Sequence, residues 1–316
     1  MSSDAILGTV LSVEHETVYR YAQPVDQAQH MACLRPLSDA GQVLQQFDLR
    51  VLPTPATQQS RVDAHGNNRT YLALHAAHRE LSVVARSEVW VADRYEGLDP
   101  CQGATCADVR ELLTYRAHAP FLPASEFLYA SPYVPCLEPL REYAAPSLLD
   151  GRPLAESAIE LMQRIHEDFD YAPASTDIST PILDVFIERQ GVCQDFAHLM
   201  LGCLRASGLA ARYVSGYLLT RPPEGQAPLI GADASHAWVS VWVPGLGQGR
   251  AGDWLDLDPT NACLPGQHHV RVAHGRDFGD VTPLRGVIRS GGEHTFLVRV
   301  TTTLIKTDAQ AGTGVA

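Results

Sequence analysis

The stretch Gly191-Val192-Cys193-Gln194-Asp195-Phe196-Ala197-His198-Leu199-Met200-Leu201-Gly202-Cys203-Leu204-Arg205-Ala206-Ser207-Gly208 decides how this sequence is read. Phe196, Leu199, Met200, Cys203 and Leu204 recur at helical spacing, and Leu201 widens the apolar face. That spacing predicts a helix from about Cys193 to Ser207, ended by Gly208 and buried in the middle of its domain. Cys193 falls in its first turn. A thiol there meets the positive end of the helix dipole, which favours the thiolate.

Strand patterns follow. Arg212 to Leu219 reads as one strand. In the next, His236, Trp238, Ser240 and Trp242 alternate with Ala237, Val239, Val241 and Val243. Trp254 to Asp258 is shorter and stops at Pro259, and Thr295 to Leu304 is a late strand. Before the cysteine helix, Leu154, Ala158, Leu161, Met162, Ile165 and Phe169 form one helical stripe. A second helix is expected from an N-cap at Thr180 with Pro181 at its first position, ending at Gly191. Helices first and antiparallel strands afterwards predict an α+β domain over residues 153–306.

Upstream, residues 1–97 alternate as an antiparallel β domain. Val13, His15, Thr17, Tyr19 and Tyr21 share a face, and Val62 to Thr70 reads as a hairpin with Gly66 at its turn. Residues 98–152 are punctuated by prolines and read as a connector with short helical pieces. Residues 307–316 are expected to be a disordered tail.

Composition narrows the partners. The 316 residues suit about two domains. Against 24 Lys and Arg stand 36 Asp and Glu, a net charge of −12, which argues against nucleic acid and anionic lipid as partners. No apolar run is long enough to span a membrane, and the first residues lack the pattern of a signal peptide. The seven cysteines, an odd number at low density, fit free thiols in the cytoplasm better than a disulfide framework.

Three residue types at the ends of regular elements suggest nucleophilic catalysis. Cys193 supplies a thiol, His236 can take and return its proton, and Asp258 can hold the imidazole in the useful tautomer. Asp256 is the runner-up carboxylate, two residues away on the same strand face. Asp195 reads as a helix cap before a catalytic group, because its charge would oppose thiolate formation. Trp238 and Trp242 read as core packing before substrate contacts. Backbone N–H groups at the Cys193 helix start are the expected oxyanion donors.

At this point the sequence resembles the bacterial transglutaminase-like cysteine protease family. The resemblance rests on Gly191-Val192-Cys193-Gln194-Asp195-Phe196-Ala197-His198, Arg212-Tyr213-Val214-Ser215-Gly216-Tyr217, Ser235-His236-Ala237-Trp238 and Asp258-Pro259-Thr260-Asn261. The segments from His269 to Phe278 and Pro283 to Val287 look like that family's C-terminal signature. His15-Glu16-Thr17 and Tyr19-Arg20-Tyr21 are similar to its leading β domain. The resemblance implies a papain-like, transglutaminase-like core with Cys193 as nucleophile, His236 as general base and acid, and Asp258 as orienting carboxylate. Gln194, Asp195, Trp238, Asn261 and Asp256 are expected around them. One departure is an insertion, Gln248 to Asp253, before Trp254.

The function expected is cysteine-dependent acyl transfer on amide or peptide bonds. The substrate would be a peptide or protein, and water or a small amine would resolve the acyl-enzyme. An arylamine acetyltransferase-like reading shares the triad order but fits the motifs less well. The alternative is a catalytically silent peptide- or protein-binding module. No cofactor or metal is expected: the sequence has no CxxC pair, HExxH or phosphate-cradling glycine loop. Cys193, His198 and His236, or Cys263 with His268 and His269, are the groupings that would compete as metal ligands. The oligomeric state is left open, with a homodimer among the options.

Overall fold

The structure, a computed structural model of the chain, describes residues 6–173, 180–220, 235–246 and 253–310. Strand β1 (Ile6–Ala32) is long and bends midway, where Pro24 can donate no hydrogen bond and the register shifts between Arg20 and Val25. β2 (Gln42–Leu52), β3 (Thr57–Val62), β4 (Asn68–Leu74) and β5 (His78–Ala92) complete the leading meander. The β3–β4 hairpin turns through Gly66 at φ +85°, the left-handed geometry read from the sequence.

Short helices α1 (Cys106–Leu113) and α2 (Glu138–Ala144) cross the proline-punctuated region, followed by α3 (Leu154–Asp168). A two-residue strand β6 (Asp170–Tyr171) precedes α4 (Ile182–Glu188), β7 (Gln190–Gly191) and α5 (Cys193–Ala206). Then come β8 (Ala211–Leu218), β9 (Ser235–Trp242), β10 (Trp254–Leu257) and β11 (His269–Gly275), a single turn α6 (Phe278–Val281), β12 (Leu284–Ser290) and β13 (His294–Gln310).

The elements form two main sheets, besides the two-stranded pair β6-β7. One is antiparallel in the order β10-β9-β8-β11, with α5 lying against β8 and β9. This is the α+β arrangement expected, a central helix on an antiparallel sheet. The helix is buried without interruption from Asp195 to Arg205. No helix among the described residues is long and apolar enough to cross a membrane.

The other sheet runs β2-β5-β1-β4-β3 and differs from the sequence reading at its far end. β13 pairs with Ile6 to Tyr21 of β1, and β12 with Val25 to Ala32. Residues 284–310 thus hydrogen-bond into the leading sheet, although the division at residue 306 grouped all but the last four with the core. The strand also continues to Gln310, where a tail was expected; residues 311–316 lie outside the described residues. The end strands shield both edges of β1, since an unpaired edge strand leaves its polar backbone open.

α4 corrects a smaller expectation. Its N-cap is Pro181 with no side-chain cap, and it ends at Arg189 in the left-handed conformation (φ 55°), two residues before Gly191. Leu11, Val13, Val89 and Val91 of the large sheet share one apolar core with α5 and the small sheet.

Candidate active site

Cys193 owes its position to the residues just before it. Val192 is extended, and its N–H donates to Asp195 Oδ2 (2.9 Å), so Asp195 caps the helix start. The approach is so close that a Cβ on residue 191 would lie 2.8 Å from Asp195 Cβ, and glycine leaves that space open. Parallel pairing of β6 with β7 anchors the entry, with the Ala172 N–H donating to Gly191 O (3.0 Å). Cys193 is thereby fixed in the first turn, half-buried, and the half-buried Gln194 follows it.

His236 enters from β9, opposite Gly216 of β8. A Cβ on Gly216 would meet Val270 O at 2.1 Å and the Trp238 ring at 2.5 Å, so glycine is required there. Asp258 closes β10 and is 0% exposed. Its carboxylate only accepts, so His236 Nε2 carries a proton and donates to Oδ2 (2.7 Å). With Nε2 occupied, Nδ1 is left free to face the Cys193 side chain, whose interaction raises the His236 pKa. The structure therefore joins His236 and Asp258 by a hydrogen bond, with the Cys193 side chain beside the imidazole.

The turn after β10 holds the carboxylate. Pro259-Thr260-Asn261 folds back so that the N–H groups of Thr260 (3.0 Å) and Asn261 (3.2 Å) donate to Oδ1. Asn261 Nδ2 donates to Oδ2 (2.7 Å), and so does His269 Nε2 (3.2 Å). Burial alone would push Asp258 up, but these donors and the charge of His236 hold it well below the usual carboxylate range. Burial pulls His236 down; the hydrogen bonds and charges of Asp258 and Cys193 overcome this and raise it to about 10. Such a site can hold an imidazolium beside Cys193 at neutral pH.

Other expected residues fall elsewhere. Trp238 is 0% exposed, with its ring 6.0 Å from that of His236. Trp242 is also buried. Asp256, the runner-up, is 1% exposed and makes no side-chain hydrogen bond among the described residues; it faces Arg271 at 4.0 Å. Cys203 is buried in the core, which pushes its thiol up to about 12. His198 stacks on Tyr133 and accepts the Phe278 N–H, away from Cys193. Of the 248–253 insertion only Asp253 lies within the described residues; it closes the loop base through the Gly245 N–H (2.9 Å).

His269 is a residue the sequence reading left out of the site. It was paired with Cys263 and His268 as a competing metal grouping. Among the described residues, His236, Asp258 and His269 are the set whose ligand atoms lie within 4.8 Å of one another. The available signal was its position: it begins a strand soon after Asp258, with Val270, Val272 and Ala273 marking that strand.

Comparison with known proteins meets this geometry. Residues 11–90 match the bacterial transglutaminase-like N-terminal region, and residues 142–259 match the core of the transglutaminase-like superfamily. Over 310 residues the chain is 41% identical to an uncharacterized protein of Mycobacterium tuberculosis (strain H37Rv), spanning 94% of this chain and 95% of that one. The chain belongs to the transglutaminase-like superfamily. A Mycobacterium leprae protein, also uncharacterized, is 31% identical over 89% of this chain and 94% of its own length. A protein-glutamine gamma-glutamyltransferase of Pseudomonas aeruginosa is 37% identical over 109 residues, 33% of this chain and 15% of that protein. A solved structure from Cytophaga hutchinsonii, provisionally named a cysteine protease, shares the fold with a TM-score of 0.71 at 18% identity, covering 95% and 92% of the two chains. Members of this transglutaminase-like superfamily are typically cysteine-dependent acyltransferases or proteases.

Proposed function

We propose that this transglutaminase-like protein is a cysteine-dependent acyl-transfer enzyme acting on amide bonds of peptides or proteins. One observation carries the reading: His236 rests one ring nitrogen on the buried carboxylate of Asp258 (2.7 Å) with the Cys193 side chain beside it. The Cys193 thiolate attacks the substrate carbonyl carbon, and backbone N–H groups at the start of α5 face the developing oxyanion. The C–N bond breaks as His236 gives its proton to the leaving amine, and a thioester remains. His236 then takes a proton from water, releasing an acid, or from an amine, releasing a new amide; Cys193 leaves as the thiolate.

Hydrolysis is the favoured outcome because water is the abundant acceptor. A silent binding module would have no use for a thiol held against an imidazole and its carboxylate. Seven cysteines, all unpaired, support a cytoplasmic location.

Competitive alkylation near pH 7 tests the reading. Cys101 and Cys136 are exposed and Cys193 is half-buried, so labelling by accessibility alone favours the first two. The proposal expects Cys193 to react at least about tenfold faster than any other thiol, and His236→Ala to remove that lead. Labelling that follows exposure, with His236→Ala silent, would overturn it. Incubation with peptide and amine libraries, followed by mass spectrometry, would then identify the acyl group on Cys193.

A further inference from the structure

We infer that His269 is a positioning residue, a second imidazole that aims the Asp258 carboxylate at His236. The inference rests on the proposed acyl-transfer reading and deepens it.

Three side-chain donors converge on one oxygen, Asp258 Oδ2. They are His236 and Asn261, each at 2.7 Å, and His269 at 3.2 Å. They come from different parts of the chain. Asn261 belongs to the same turn as Asp258 and moves with it, and its amide also lies 3.3 Å from His236 Nε2. His269 begins β11, across the sheet from β10, and is held independently. Its N–H donates to Gly266 O (3.0 Å), its Cα pairs with Leu218, and its ring stands edge-on to Trp238 at 5.4 Å. It is therefore the side-chain donor that ties Asp258 to a strand other than those bearing His236 and Asp258.

The hydrogen bonding also fixes its chemical form. Nε2 must carry a proton to donate to a carboxylate, while Nδ1 is buried and makes no hydrogen bond among the described residues. A residue 7% exposed with an unmatched nitrogen carries a desolvation cost that apolar packing would avoid. The Nε2 contact with Asp258 is the interaction that sets against this cost. Since His236 and His269 share one oxygen with ring centroids 6.1 Å apart, the carboxylate serves both at once. Without His269, Asp258 is free to swing toward Asn261, and the imidazole that meets Cys193 loses its angle.

The test uses the full chain with His269→Ala and His269→Gln, whose amide nitrogen can stand where Nε2 stood. Alkylation of Cys193 is followed across pH, alongside nitrogen-15 spectra of the histidine rings. The expectation is a reaction about tenfold slower at pH 7 in His269→Ala, the scale of one charge-assisted hydrogen bond, with the profile midpoint moved to higher pH. His269→Gln should restore most of the rate, and His269→Ala should add nothing once Asp258→Ala is present. An unchanged profile in folded His269→Ala means the ring only packs, and a faster reaction or lower midpoint means it merely draws charge from the carboxylate. Either result overturns the proposal. The His236 Nε2–H resonance gives a separate arm. It should broaden or shift in His269→Ala even if Cys193 proves inert, and an unmoved resonance overturns positioning without touching the acyl-transfer reading.

Discussion

Two carboxylates at the C-terminal end of β10 occupy the same depth in the molecule and live in opposite surroundings. Asp258 accepts five hydrogen bonds, three on Oδ2 and two on Oδ1. Asp256, equally buried, accepts none among the described residues and lies among the guanidiniums of Arg94, Arg212 and Arg271. Arg94 and Arg271 also pair with Asp39, and Arg212 stacks on Trp254 at 4.1 Å. Burial lowers Arg212 and Arg271 to about 10, so both stay charged at neutral pH. Depth therefore does not separate the two acids. Donor number does: Asp258 stands where the chain turns back and offers its own N–H groups, whereas Asp256 sits in an extended strand whose N–H groups point elsewhere.

Exchanging the amide for each acid sharpens this contrast most. Asp258→Asn should slow Cys193 alkylation at pH 7 by about 100-fold or more, because the imidazole loses both its tautomer and its charge partner. Asp256→Asn should leave the rate within about twofold yet lower unfolding stability by about 3–5 kcal/mol, as buried guanidiniums lose their counter-charge. Urea unfolding and alkylation rates on the same two variants decide it. A reversed pattern would make Asp256 the orienting acid.

The sequence resolved the surroundings of one of these acids and missed those of the other for a physical reason. Asp258 was legible because the determinants of its environment are local: the Pro259-Thr260-Asn261 turn is contiguous with it. α5 was legible because an all-round apolar helix announces its burial, and Cys193, His236 and Asp258 mark element ends that periodicity can locate. The arginines around Asp256 come from the end of β5, from β8 and from β11, and no local pattern predicts that they meet. The same holds for β12 and β13. Their alternation marks them as strands, but antiparallel pairing with β1, more than 250 residues earlier, is a matter of register across the whole chain. His269 was left out of the expected site because a histidine's place in the sequence carries no information on which carboxylate it will reach.

Histidines extend the comparison into pH. His236 is raised by its partners, so its contribution to stability is complete below about 6.5 and is lost as pH rises through about 10. His15 and His198 are lowered by burial to about 4. Each stays neutral when folded but binds a proton when unfolded, so stability falls as pH drops from about 6.5 toward 4. The full loss is about 3 kcal/mol per histidine on these shifts. Urea midpoints measured from pH 7.5 to 4.5 should fall before ordinary carboxylates titrate. His15→Gln, which keeps a polar partner for the Tyr217 hydroxyl (3.0 Å), should flatten part of that fall. Stability that is level across this range would mean these rings are protonated in the folded protein.

The smallest effect probes whether the two acids are independent. β10 is the edge of its sheet, and Tyr95 covers the open side. Its hydroxyl accepts the Asp256 N–H at 2.6 Å and donates to Trp254 O at 3.4 Å. Tyr95→Phe strips that cover and leaves a buried N–H without its partner, at a cost of about 1–2 kcal/mol. Because Asp258 is held by its own turn, by His269 and by the β9 histidine, the loss should stop at Asp256. Alkylation of Cys193 should then keep its rate and its pH profile while the urea midpoint falls. A slower thiol in a folded Tyr95→Phe protein would show that the edge contact is transmitted along two residues of strand, and the separation of a reactive acid from a structural one would fail.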